Sequence, residues 1–563
     1  MQADLLQAGL YLLVLVGLAV PLGAYMAAVF SGDIRFLAPL ERAILAPVGR
    51  QHLADQRWSA YALSLLVFNA VGFAILFAIL MLQHLLPLNP QGFDGLSWHL
   101  AFNTAVSFMT NTNWQSYGGE TTLSHFSQMA GLTTQNFLSC ATGMAVAAAV
   151  ARGLAARKTR LLGNFWTDMT RAVLYVLVPG AVFLALVLAA LGVPQTLDAS
   201  VTATTLEGAQ QAISVGPVAS QLAIKQLGTN GGGFFNVNSA HPLENPNALT
   251  NFLSILAILV IPVGFCFTYG RMVGDRRQGL ALFAAMAVLL VLSFTALYSA
   301  ERAGNPIISE FVTPAGSNME GKEVRFGLVG SVLWSVATTA ASNGSVNAMH
   351  DSLTPLGGMV AMLNMQLGEI IYGGAGVGLT GMLLFVVLTV FLAGLMVGRT
   401  PEYLGKKIEA PEIKLAALSL LVMPVGVLVF SALAIWAGTA ATSVQDAGPH
   451  GLSELVYAYS SATGNNGSAF AGFNANTPWH NVFIGLAMLL GRFGYILPIL
   501  GIAGLMAAKI PASATAGTFP THGTVFVVLL LVTILIVGAL TFLPVLALGP
   551  IAEFIAMQAG QTF

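Results

Sequence analysis

Ten stretches of mostly apolar residues divide this chain, near 5–30, 60–86, 126–151, 168–193, 247–270, 278–299, 355–398, 413–440, 477–508 and 524–548. A helix that crosses a bilayer needs about 20 such residues, so each stretch predicts a membrane span. The 355–398 stretch is too long for one straight helix and contains the run GGAGVGLTG at 373–381, which predicts a break there. Non-helical backbone at membrane depth persists only where protein or a water-filled cavity satisfies it.

A second pattern lies between the spans. The connections after spans 2, 4, 6 and 8 each carry a semi-apolar segment too short to cross, then a polar knot. The knots read FMTNTNWQ (108–115), LGTNGGGF (227–234), AASNGSV (340–346) and ATGNNGSAF (462–470). Span, short dip, polar knot and span recur four times, and repetition of this kind outranks any single local motif. The pattern predicts an all-α polytopic membrane protein with four span–pore helix–span repeats and one extra span at each end. The units run 1–59 (first span and loop), 60–160, 161–277, 278–411 (with the broken second span), 412–515 and 516–563 (final span).

Composition agrees, since 56% of the 563 residues are hydrophobic and only 8% charged. Soluble domains average roughly 25% charged residues. A net charge of −1 points to no nucleic acid. The first apolar run lacks a basic leader and carries Asp4, so it reads as a retained span rather than a signal peptide. Cys140 and Cys266 lie inside apolar runs and read as core thiols.

Basic residues fall on alternate connections: Arg35, Arg42, Arg50 and Arg57; Arg152, Arg157, Lys158, Arg160 and Arg171; Arg271, Arg276 and Arg277; Arg399, Lys406, Lys407 and Lys414; and Lys509. The opposite connections hold only Lys225, Arg302, Lys322 and Arg325. Lys and Arg stay inside, so the basic connections are expected to be cytoplasmic, with the knots and both termini external.

Three knots share Asn followed by Gly: Asn230-Gly231, Asn343-Gly344 and Asn466-Gly467. Glycine permits positive φ and removes the side chain, letting backbone carbonyls turn toward an axis. Four such loops on one axis supply rings of oxygens that replace the water around a cation. The knots contain no carboxylate, and divalent ions favour carboxylates, so the cage suits a monovalent ion. A single knot reads equally well as an ordinary turn; four in phase favour a shared device.

The run GPVASQLAIKQLGTNGGGFFN (216–236), continuing to SAHPLENP (239–246), resembles the potassium-translocating KdpA subunits of bacterial Kdp ATPases. MTNTNWQSY (109–117) and SATGNNGSAF (461–470) support the resemblance, which covers essentially the whole chain. It implies a pseudo-fourfold pore of the Trk/Ktr/Kdp superfamily in the bacterial inner membrane. It also implies a P-type ATPase partner (KdpB) that supplies ATP and Mg2+ chemistry, and small accessory subunits KdpC and KdpF. The present chain then carries K+ as the transported ion, with no cofactor and no catalytic site of its own.

By motif, the resemblance implies a potassium filter of Asn111, Thr112 and Asn113; Thr229, Asn230 and Gly231; Ser342, Asn343 and Gly344; and Asn465, Asn466 and Gly467. Trp114 and Gln115 stand where other knots have Gly and a small residue, which leaves the register of the first loop open; Gln115 would border the filter with a side-chain oxygen. Gly374, Gly376 and Gly378, in the broken span with Glu369, would form a gate-like loop.

Other motifs carry no chemistry. Residues 316–323 read G-x-x-x-x-G-K-E but lack the Ser or Thr that would hold Mg2+. Gly376, Gly378 and Gly381 spell G-x-G-x-x-G inside an apolar span without the acidic residue a dinucleotide site requires. His99, His125, His241, His350, His450 and His480 lie near the knots and read as local hydrogen-bonding groups rather than metal ligands. Arg492 interrupts an apolar run. A central Arg costs roughly 2.5–3.5 kcal/mol on insertion scales, so it faces protein or water. It is either the structural partner of Glu369 or a charge that shapes the ion path beneath the filter.

Accumulating a cation requires work, and the chain lacks both a nucleotide site and the Asp-Lys-Thr-Gly-Thr motif of P-type pumps. The alternatives are a Trk- or Ktr-like pore run by ion gradients, which the 216–246 run disfavours, and a membrane redox enzyme. The second would need paired mid-membrane ligands, which the sequence does not offer.

Overall fold

The computed structural model describes residues 2–309, 311, 316–513 and 518–561. Parts of the mixed-charge 301–325 segment and of the junction before the last span therefore lie outside the described residues. Among the described residues, ten helices are long and apolar enough to cross a membrane. They are Gln2–Ser31, Trp58–Met81, Ser127–Ala155, Phe165–Ala190, Ala248–Met272, Arg276–Ser309, Val377–Met396, Ala410–Trp436, Pro478–Ala508 and Thr524–Gln558. Four shorter helices stand between the second and third, fourth and fifth, sixth and seventh, and eighth and ninth: Trp98–Met109, Val218–Leu227, Gly327–Ala340 and Gly448–Thr463.

Burial separates the spans into two shells. The most apolar windows of the third, fifth, seventh and ninth spans are 83%, 83%, 72% and 50% buried, against 22–44% for the second, fourth, sixth and eighth. The span after each short helix is therefore the inner one. Leu63, Val67, Val71 and Ile75 form an exposed apolar stripe at four-residue spacing on the second span; an outer surface of this kind matches a lipid solvent. The first span packs on the fifth, where a Cβ on Gly23 would lie 2.5 Å from the Gly264 carbonyl oxygen. Small residues let membrane helices approach this closely.

Local sequence sets where the inner spans begin. Asn247 caps the fifth with a reciprocal bond to Thr250, and Thr477 caps the ninth ahead of Pro478. Thr354 caps Pro355–Gln366, the first half of the broken seventh element. A side-chain oxygen at the cap satisfies a free helical N–H, and proline at the first position sacrifices none.

The break falls within the predicted segment. Pro355–Gln366 ends, Gly368, Glu369, Tyr372 and Gly376 adopt positive φ, and the helix resumes at Val377. The fold also contains two antiparallel hairpins that hydropathy does not reveal. Ser200–Thr204 pairs with Gln210–Ser214, with Val201 opposite Ile213, and Glu402–Tyr403 pairs with Lys406–Lys407. The first is rich in Thr, Val and Ile, which favour strands, and turns beside Gly208 at φ 84°. Three span ends differ by five residues or more: the second stops at Met81 rather than 86, the sixth runs to Ser309 rather than 299, and the tenth continues to Gln558 through a widened turn at Pro550.

Candidate functional site

Each short helix leads into a loop with one backbone signature. Asn111, Thr229, Ser342 and Asn465 have φ of 67, 50, 57 and 55°. Two residues on, Asn113, Gly231, Gly344 and Gly467 have φ of 53, 75, 88 and 100°. Between them, the amides of Thr112, Asn230, Asn343 and Asn466 donate to the carbonyls of Ser107, Lys225, Thr338 and Ser461 in their own helices, at 2.9, 2.9, 3.0 and 2.8 Å. Across a trans peptide the preceding carbonyl points the opposite way. The carbonyls of Asn111, Thr229, Ser342 and Asn465 are therefore directed away from the short helices. The signature resolves the register of the first loop: Asn113 holds the position that glycine holds elsewhere.

The loops close on one another in sequence order. Asn111 Nδ2 donates to the Thr229 carbonyl at 2.9 Å, and Asn113 Nδ2 to that of Gly231 at 3.1 Å. Asn343 Nδ2 reaches the Lys225 carbonyl at 3.2 Å, and Asn466 Nδ2 the Thr338 carbonyl at 2.8 Å. Asn465 Nδ2 completes the circuit at Thr112 Oγ1, 2.9 Å away. A side chain on Gly231 would strike the carbonyl of Asn343, one on Gly344 that of Asn466, and one on Gly467 that of Thr112. Absence of a Cβ is thus what lets neighbouring loops touch.

Gln115 plays a different part from a filter oxygen. Its Oε1 accepts from the Gly233 amide at 2.8 Å and its Nε2 donates to the Gly233 carbonyl at 3.0 Å. The carboxamide pins the first loop to the second, because an amide and a backbone peptide match as donor and acceptor.

In the sequence Lys225 is marked only as one of four basic residues on the external connections. In the structure Lys225 Nζ donates to the Gly232 carbonyl at 2.8 Å and pairs with Glu244 at 2.5 Å, both side chains being buried. Glu244 Oε1 in turn accepts from the amides of Phe234 and Phe235 at 2.6 and 3.2 Å. The pair therefore clamps the outer half of the second loop. A basic residue inside an otherwise apolar short helix, with a carboxylate on the polar stretch that follows, is the sequence signal for it. Glu244→Gln is expected to lower stability, since breaking a buried pair costs about 3–5 kcal/mol. Thermal unfolding of the purified protein checks this, and an unchanged midpoint would refute the clamp.

The broken span lies directly under the ring. The Ala375 amide donates to Thr229 Oγ1 at 2.8 Å, and a Cβ on Gly374 would lie 3.7 Å from Ser342 Cβ. Gly376 and Gly378 fold the loop tightly: the first abuts Gly143 of the third span, the second Gly373. Arg492 Nη2 donates to the Ser139 carbonyl at 2.7 Å and borders Gly143, beside the Ala375 carbonyl. Arg492 and Glu369 attract electrostatically, but Arg492 makes its hydrogen bond to backbone, and Glu369 Oε1 is buried without a partner. A direct Arg492–Glu369 ion pair is therefore replaced by two separate buried groups around one loop.

The resembling nucleotide motifs are structural. Lys322 of the 316–323 run is buried against Glu301 at 2.7 Å, and Glu301 also accepts from Asn318 and Thr354. Gly376 and Gly378 flank the start of the seventh span.

The fold has a counterpart among solved membrane proteins. The crystal structure of the potassium transporter TrkH from Vibrio parahaemolyticus superposes with a TM-score of 0.52, covering 85% of this chain and 96% of that one at 13% identity. That likeness concerns the fold. The family model KdpA, "Potassium-transporting ATPase A subunit", matches residues 9–555. Potassium-transporting ATPase potassium-binding subunits of Rhodospirillum centenum and Pseudomonas aeruginosa are 60% and 59% identical. They align over 99% and 95% of this chain and 98% and 96% of their own lengths. The chain belongs to the KdpA family and is a multi-pass membrane protein, a non-catalytic subunit of a potassium-transporting ATPase.

Proposed function

We propose that this subunit selects K+ from the external side at the four-loop ring and passes it to the P-type ATPase partner KdpB, in an inner-membrane complex completed by KdpC and KdpF. The observation that carries this reading is the shared left-handed signature of the four loops, with Asn111, Thr112 and Asn113 and their nine counterparts brought onto one ring. Dehydrating K+ requires oxygens from all sides, and a neutral carbonyl cage supplies them without the carboxylates that favour divalent ions. Glu369, Gly374, Gly376, Gly378 and Arg492 form the gate beneath it, and ATP and Mg2+ act on the partner. The six units predicted from the repeats stand as the functional divisions of the chain, with Gln115 supporting the filter from its border.

The purified complex is expected to hydrolyse ATP in response to K+. Activity indifferent to K+, or satisfied equally by Na+, would overturn the reading. Orientation is tested separately. Reporters fused after Lys158 or Lys407 are expected to register as cytoplasmic, and one after Gly321 as external, by the asymmetry of basic residues. Labelling of a Lys407→Cys variant from outside intact cells would invert the topology.

A further inference from the structure

Beside the ring, on the side where the loops emerge, four potential metal ligands converge from two stretches of chain. Asp351 follows the third loop, Asp446 precedes the fourth short helix, and His450 and Glu454 stand on its first turns. The ligating atoms of all four lie within 4.8 Å of one another. An ion about 2.0–2.2 Å from each would span them after a small contraction.

The cluster is more than a patch of surface acid. Glu454 is 0% exposed, and its Oε1 has no hydrogen-bond partner, while Oε2 accepts from the Gln445 amide at 2.9 Å. Gly472 leaves room for that free oxygen: a Cβ there would collide with Glu454 Oε1 and lie 3.2 Å from Asp351 Oδ2. A buried carboxylate oxygen with no donor is costly unless a cation takes it up.

The histidine is already oriented as a ligand. Its Nδ1 lies 2.9 Å from Glu553 Oε1 on the last helix. Its Nε2 points into the cluster, 3.1 Å from Asp351 Oδ1 and 3.8 Å from Asp446 Oδ2. A carboxylate that holds one imidazole N–H and leaves the other nitrogen for a metal is the usual outer support of such sites. An open cleft of about 500 Å³, lined in part by Asp351, Asp446, His450 and Glu553, gives an ion access.

We propose that Asp351, Asp446, His450 and Glu454 form a divalent-cation site for Mn2+ or a similar ion at the mouth of the ring. One imidazole among three carboxylates suits that part of the series better than Mg2+ or Ca2+, which prefer all-oxygen shells. The competing occupant is a proton. Burial opposes charge on His450, yet Asp351 and Glu553 carry its pKa up to about 10, and a metal would have to displace that proton. Burial and the Asp351 charge push Glu454 up as well, to about 7.

The site would bear on the ring through a short path. His350 Nδ1 lies 2.7 Å from the Tyr457 hydroxyl, Tyr457 lies 2.8 Å from Ser468 Oγ, and Ser468 donates to Asn466 Oδ1 at 2.6 Å. Any effect on transport rests on the proposed filter; binding of the metal does not.

The test is Mn2+ binding to the purified, chelator-stripped, nucleotide-free complex. Wild type is expected to bind one Mn2+ more than Glu454→Gln or Asp446→Asn, or to bind it at least tenfold more tightly. Its Mn2+ spin-echo spectrum is expected to show 14N coupling from His450. Retained K+-stimulated ATPase in the variants would establish that they are folded. Equal Mn2+ binding in wild type and both variants, or bound Mn2+ without 14N coupling, would overturn the site and leave protonated His450 as the occupant. Intact Mn2+ binding by a wild-type complex whose ATPase activity is indifferent to K+ would instead count against the filter and leave the metal site standing.

Discussion

Gly344→Ser, and likewise Gly231→Asp or Gly467→Ser, is expected to weaken apparent K+ affinity at least tenfold or to admit other cations, with the protein still inserted. Two effects act together. Each glycine has positive φ, between 75 and 100°, where an L side chain is strained. Each also meets the carbonyl of a neighbouring loop where a Cβ would stand, so the side chain must push that carbonyl aside and distort the proposed filter. A tenfold loss needs only about 1.4 kcal/mol, which is small against the displacement of such a carbonyl. The spans around the ring bury their own surfaces, so insertion should survive. Titration of K+-stimulated ATP hydrolysis with K+, Rb+ and Na+ measures the effect. Variants that assemble and keep both affinity and ion preference would show that the ring is not the filter.

Replacing Arg492 with Met together with Glu369→Gln is expected to leave a complex that assembles yet couples poorly, with K+-stimulated ATPase activity at least about tenfold below wild type, or roughly 1.4 kcal/mol. If the two residues only balanced each other, removing both charges would restore the protein, because what destabilises is a buried charge left alone. The structure separates them. Arg492 donates to the Ser139 carbonyl and borders the loop beneath the ring, whereas Glu369 Oε1 stands unpartnered. A positive charge bordering that loop repels a cation that passes it, more strongly the closer the ion comes. Arg492→Lys should keep part of the activity, since charge is retained while the planar fork is lost. Near-normal coupled activity of the double variant would rule the steering role out.

The spans, their number, the four polar loops and the existence of a break in the 355–398 stretch were legible because each depends on local properties: apolar length, cap residues and glycine runs. The break itself lies at 367–376, ahead of most of the glycine run at 373–381 that predicted it, because the helix resumes at Val377. The hairpin at 200–214 was not, since its strands are short, largely exposed and carry no hydropathy signal. Among site residues, Gln115 and Lys225 differ most from their sequence reading. Whether a side-chain amide faces an ion or a neighbouring peptide depends on where the second loop lies relative to the first, and that is a distance between residues 118 positions apart.

The sequence by itself determined that the chain lives in lipid and repeats one motif four times, because a bilayer tolerates only helices of sufficient apolar length and the loops repeat a glycine pattern. It also carried enough of the long 216–246 run to place the chain in its family. Only the tertiary structure decided that Asn113 takes the glycine position, that Gln115 and the Lys225–Glu244 pair brace the second loop, that Arg492 and Glu369 are separate, and that His450 meets carboxylates from both the third loop and the last helix. Those are relations between distant segments. They follow from the closing of four loops about one axis, which no local propensity encodes.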